Sequence, residues 1–252
     1  GPEDVDALAD KATPADADFP AAEATAADGS FQPMLQVDRY RWPKVGRQLS
    51  EQAAPEVDRL ADGLVAAMAR GHKVLAIGGC QSGEGATTLV LCAGQCLADR
   101  GHKVVMVDAN PADPKLGKRL GLLPQFGWED VLAGRLPLEE VVIESTHNRL
   151  AVLPLSGSFA GTGGPAEDET RLADGIQTLA AHYDLVLVDL EPLGNLDGVG
   201  SSLARGVAGQ LDAIVLVQNV GTTTRDHLAE VQRCLAASDV AQPGIIQNFV
   251  RA

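Results

Sequence analysis

A doubly wound α/β domain, with a mostly parallel sheet and helices on both faces, is what this 252-residue sequence predicts. Three observations carry that prediction. Short apolar runs recur at 74–77, 104–108, 149–154, 184–190, 213–217 and 244–250, with helix-like segments between them. Several runs, such as DLVLVDL and AIVLV, are continuous rather than alternating, which marks strands covered on both faces. The first run also passes directly into a glycine-rich turn and a long apolar helical segment, the strand–loop–helix order of a phosphate-binding crossover.

Taken in order, residues 1–30 hold eight acids and one base, so this segment carries −7 of the net charge of −14. With ten alanines and almost no large apolar residues, it is expected to be disordered. Gly1-Pro2 reads as a cleavage remnant. Residues 31–50 concentrate Phe31, Arg39, Tyr40, Arg41, Trp42, Lys44 and Arg47. They read as a strap laid extended over the core, or as a docking segment for a partner. Residues 51–252 form the domain itself. Pro55 opens a helix that runs to about Arg70, with Val57, Leu60, Leu64, Val65 and Met68 on one stripe and Gly71 at its end.

The stretch Val74–Asn110 reads as strand, loop, helix and strand, the second strand ending on Asp108. A turn at Asn110–Pro114 leads to a short basic helix with Lys115, Lys118 and Arg119. Residues 128–143 read as two short amphipathic helices around Gly134 and Pro137. A strand at 149–154, a mobile Gly/Ser loop at 155–168 and a helix from about Glu169 to Ala181 follow. The next strand closes on Asp189, and a threonine cap at 222–224 opens the helix before the final strand.

Composition excludes several classes. No apolar stretch reaches the roughly 18 residues of a membrane span, and no signal peptide opens the chain, so a cytoplasmic location is expected. The acidic balance argues against nucleic acid as a partner. Cys80, Cys92, Cys96 and Cys234 lack metal-ligand spacing and read as core residues, and the five histidines show no ligand spacing either.

The loop follows the pattern Gly, four residues, Gly-Lys-Ser/Thr only in part. Gly85 and Thr87 occupy the last Gly and the hydroxyl position, whereas Cys80 replaces the first Gly and Ala86 the lysine. Gly83, Glu84 and Gly85 still let backbone amides converge on phosphate, Thr88 follows, and Thr87 keeps a hydroxyl for Mg²⁺. The missing ammonium would contribute about 1.5–3 kcal/mol as a charged hydrogen bond. Losing one such contact in a transition state costs about 10²–10³ in rate. Two carboxylates, Asp108 and Asp189, end apolar strands, where open α/β sheets bind ligands. Asp189 fits the Mg²⁺-side acid of a P-loop NTPase, and Asp108 fits a group that handles a water or hydroxyl.

These residues resemble the cytoplasmic domain of bacterial tyrosine kinases of the capsular exopolysaccharide family (BY-kinases, Wzc-like), within the MinD/ParA-like P-loop group. The resemblance rests on Gly83-Glu84-Gly85 with Thr87-Thr88, VVMVDAN, Gly121-Leu122, GWEDVLAGRLPLEEVV, LAVLPLSG, YDLVLVDLEPL and GIIQN, over roughly residues 50–250. It implies that Thr87, Asp108 and Asp189 handle Mg²⁺ and a hydroxyl, that Asn248 lies near adenine, and that Glu56 and Arg59 serve oligomerisation. It also implies protein partners in a membrane polysaccharide-export complex and a place at the inner face of the membrane through such a partner.

The departures point one way. Ala86 replaces the lysine, Asn110 the second acid, Glu191-Pro192 a proline pair, and Asp62 the last arginine of the oligomerising helix; the family's C-terminal tyrosine cluster is not in this sequence. The expected function is therefore that of a pseudokinase with vestigial Asp108 and Asp189, binding ATP or ADP with Mg²⁺ weakly or not at all. One alternative is an ATP-binding positioning factor resembling TadZ/CpaE. The other is a weakly active ATPase or kinase with a cation borrowed from Lys115, Lys118 or a neighbouring subunit's Arg59.

Overall fold

The computed structural model describes residues 31–157, 165–195, 202–236 and 241–248. The acidic segment 1–30, half of the Gly/Ser loop (158–164), residues 196–201 and 237–240, and the last four residues lie outside them. Among the described residues eight strands form one sheet: β1 Leu35–Val37, β2 Val74–Gly79, β3 Val104–Ala109, β4 Ile143–Ser145, β5 Leu150–Leu153, β6 Leu185–Leu190, β7 Ala213–Asn219 and β8 Ala241–Asn248. Their spatial order is β1-β4-β5-β3-β6-β2-β7-β8. Every neighbouring pair is parallel except β4–β5.

The reason for the parallel centre lies in the side chains. All residues of β2, β3, β5 and β6 are buried, so neither face of the sheet is free for water. Alternate residues feed two separate cores. Val74, Ala76, Val105, Val107, Val186 and Val188 pack on one face, against Leu172, Ile176 and Leu179 of helix α6 (Pro165–His182). On the other face Leu75, Ile77, Val104, Met106, Leu185 and Leu187 meet α2 (Ala54–Ala69) and α3 (Ala86–Asp99). Helix α3 lies close to the sheet because position 94 is glycine: a Cβ there would come within 2.8 Å of Met106 Sδ. The remaining helices are α1 (Lys44–Gln52), α4 (Leu116–Arg119), α5 (Trp128–Leu132), α7 (Ser202–Ala208) and α8 (Arg225–Ala236).

Several local expectations shift. Residues 31–50 are not extended throughout: β1 adds to the sheet edge, and Pro43 then opens the amphipathic α1. The second half of 128–143 yields a single 3₁₀ turn, Leu138–Glu140, before β4 begins at Ile143. Helix α6 starts at Pro165, a favoured first helical residue, not near Glu169.

Tyr40 anchors the edge segment. Its ring is buried, and its hydroxyl is shared between the carbonyls of Ile143 (2.7 Å) and Leu150 (3.1 Å) on β4 and β5. Trp42 stacks on it edge-on at 6.4 Å. Tyr40→Phe is therefore expected to cost about 1 kcal/mol, read as a fall in Tm of about 2–4 °C; an unchanged melt would show that this hydroxyl holds nothing.

Candidate functional site

Polar side chains have no place along strands buried on both faces, so they collect at the strand ends. Asp108 of β3 and Asp189 of β6 are direct register partners, and Asp189 also pairs with Ile77 of β2, just before the glycine-rich loop. Strand pairing alone thus brings both acids and the loop to one edge of the sheet.

The loop turns from β2 into α3 through two left-handed residues, Gly83 (φ 85°) and Gly85 (φ 96°). A side chain at either position would be strained. Gly85 precedes the first turn of α3, and no side chain caps that helix. Its leading amides therefore face the loop as an anion-binding end.

Glu84 shapes this turn from inside. The residue is 2% exposed, and its carboxylate is taken up by protein donors. One oxygen accepts the amide of Asn219 (2.9 Å) and the Thr223 hydroxyl, and the other accepts the amide of Gln81 (2.8 Å). Asn248, at the end of β8, donates its side-chain amide to the Glu84 carbonyl at 2.8 Å. Of the residues singled out for nucleotide contact, Glu84 thus offers its backbone, and Asn248 braces the loop.

Asp108 and Asp189 divide into different environments. Asp108 accepts the amides of Asn110 (3.2 Å) and Leu116 (3.0 Å), so it organises the turn into α4. Asp189 accepts the Thr87 hydroxyl, and its buried Oδ1 has no hydrogen-bond partner among the described residues. That orphaned oxygen beside a loop hydroxyl fits a Mg²⁺ ion whose other ligands are water and phosphate. Among the described residues no cluster of His, Cys, Asp and Glu forms a complete protein-only metal site.

Burial pushes both carboxyls up, Asp108 to about 7 and Asp189 to about 8. The Asp108 charge adds to the push on Asp189, while the Thr87 hydroxyl, Arg119 and Lys115 oppose it. Another buried acid, Glu129, adds to the push on Asp108 and accepts the amide of Ser156 at 2.8 Å.

Gly83–Thr88, Asn110, Lys115, Arg119 and Asn248 line a cleft of about 1160 Å³, and Glu56 and Arg59 of α2 line its outer part. The expected nucleotide-contact residues therefore line one cleft, whereas Asp108 and Asp189, each 1% exposed, are not among its lining residues. Glu56 and Arg59 pair with each other at 2.7 Å on the open surface. Lys118, one of the cations considered as a replacement for the missing lysine, points to solvent. Arg119, beside it, reaches the first turn of α3 instead, donating to Thr88 Oγ1 at 3.0 Å. The sequence places Arg119 in a basic helix, but only the packing of that helix reveals which of its cations faces the cleft.

The protein-family profile described as AAA domain matches residues 72–200. The tyrosine-protein kinase CpsD of Streptococcus agalactiae is a homologue, 25% identical over 71% of this chain and 76% of its own length. The chromosome partitioning protein ParA of Caulobacter vibrioides is 29% identical over 52% of each chain. Among solved structures, the VpsO kinase domain superposes with a TM-score of 0.68 at 22% identity, over 82% of this chain and all of that one. No helix among the described residues is long and apolar enough to cross a membrane.

Two measurements test the site. Both acids sit above the ordinary carboxylate value of 3.8, so the folded state holds protons that the unfolded chain releases. Stability of the nucleotide-free domain should therefore fall as pH rises from about 5 to about 9. Asp189→Asn should flatten that fall and melt at least about 2 °C above the parent near pH 8.5. Glu84→Ala strands three donors and should cost about 2–4 kcal/mol by denaturant titration; a neutral result would remove Glu84 as the brace of the loop.

Proposed function

This chain belongs to the AAA domain family of P-loop proteins, with homologues among tyrosine-protein kinases, and on that premise we propose that it is a kinase-like domain impaired in phosphoryl transfer. It serves as a regulatory or assembly module of polysaccharide export, held at the inner face of the membrane by a protein partner. The observation that carries this reading is Ala86. It stands as the first residue of α3, directly after Gly85, in the place of the lysine, within an otherwise well-formed cradle.

The residues divide the work of binding. The amides of Gly83–Thr88 take phosphate oxygens, Thr87 and Asp189 hold Mg²⁺, and Asp108 fixes the neighbouring turn. A bound nucleotide would supply the transferable phosphoryl group. Methyl at position 86 offers nothing to the charge that develops on it, so binding survives better than chemistry. Glu56 and Arg59, exposed on α2, are the residues through which we expect self-association.

A second reading, an ATP-dependent positioning factor, draws support from the match to ParA over about half of the chain. ATP-dependent dimerisation without any phosphotyrosine would favour it.

Calorimetric titration with Mg-ADP and Mg-ATP, beside an Ala86→Lys variant, tests the proposal. The parent is expected to bind at least about tenfold more weakly than the variant and to form no phosphotyrosine with Mg-ATP. Phosphotyrosine on the parent would overturn the reading.

A further inference from the structure

We propose that Arg119 supplies the phosphate-binding cation that position 86 lacks, so that the cleft takes a nucleoside di- or triphosphate with this guanidinium on its phosphates. The inference rests on the nucleotide-binding part of the reading above and extends it to a residue that no part of the loop pattern predicts.

Placement is the first argument. Arg119 is the last residue of α4, its guanidinium donates to Thr88 Oγ1 at 3.0 Å, and it lines the same cleft as the loop. Thr88 lies two residues beyond Ala86 in the first turn of α3, so the cation enters from the side and not from the helix itself. Its charge also reaches the ligand-side acid, offsetting part of the upward push on Asp189.

The position of Arg119 is fixed by packing. Leu116 and Leu120, on either side of it, are 0% and 1% exposed and lock α4 into the core beside α3. Asp108 accepts the Leu116 amide and sets where α4 begins. Gly117 lets α4 approach Pro154, whose Cβ lies 3.3 Å from where a side chain would stand.

Availability is the second argument. Lys115 is paired with Asp113, Arg59 with Glu56, and Lys118 is exposed. Arg119 forms no ion pair with a carboxylate among the described residues, and it donates instead to a neutral hydroxyl, that of Thr88. A planar guanidinium with several donors can keep that hydroxyl bond while presenting its remaining N–H groups to phosphate oxygens.

The test is calorimetric binding of Mg-ADP to the parent, Arg119→Ala, Arg119→Lys and the double variant Ala86→Lys/Arg119→Ala, each with a thermal melt. Arg119→Ala should weaken binding by about tenfold or more. Arg119→Lys should retain most of the affinity, and the double variant should recover it, because a cation returns to the same phosphates. Unchanged binding by Arg119→Ala, with the parent binding, would overturn this inference and leave the cradle reading intact. Weak binding accompanied by a depressed melt and no recovery in the double variant would make Arg119 a packing residue and also overturn it. A parent that binds no Mg-ADP, even with Ala86→Lys alone binding, would overturn both this inference and the claim of residual affinity.

Discussion

Burial of the central strands on both faces is the constraint from which the architecture follows. A strand such as β6 has no solvated side, so an acid in it must stand at the end, where the sheet meets the loops. The same rule applied to β3 puts a second acid beside it in register, and applied to β2 it puts the glycine turn alongside both. The site is a by-product of covering the sheet. Chemistry needs only the loops at that edge, which is why related folds carry kinases and partitioning proteins alike.

The loop keeps its shape without its lysine because the lysine never held it. Glu84 does, through the Asn219 amide, the Thr223 hydroxyl and the Gln81 amide. The interactions that shape the cradle and the one that would drive transfer are separate, so one can be lost while the other stays. Charge at the floor of the site is likewise unresolved by the protein alone: Asp108 and Asp189 stand side by side, and only partial relief comes from Thr87, Arg119 and Lys115. That residual strain is the force that makes a cation welcome there.

Much of this was legible in the sequence, and the remainder was not, for physical reasons. Continuous apolarity marks β2, β3, β6 and β7, and Gly83-Glu84-Gly85 marks the turn, since both signals are local. The edge strand β1 and its neighbour β4 are hidden from the sequence because each is three residues long, and the pairing that holds β1 spans more than a hundred residues. The role of Glu84 as a brace is equally hidden, because Asn219 and Thr223, at and just beyond the end of β7, are 135 and 139 residues away in sequence. Arg119 and Lys118 are adjacent and alike on paper. Burial of Leu116 and Leu120 decides that one meets α3 and the other meets water.

The ties that hold the loop also fix when it can exist. Glu84 is joined to Asn219 across 135 residues and to Asn248 across 164. A nascent chain presents β2, the glycine turn and α3 long before β7 and β8 have left the ribosome. Until they arrive, the Glu84 carboxylate has only Gln81 to hold, and closure of such long intervals is slow. The nucleotide cradle is therefore among the last parts of the domain to be completed, and a ligand that recognises it recognises a fully assembled sheet.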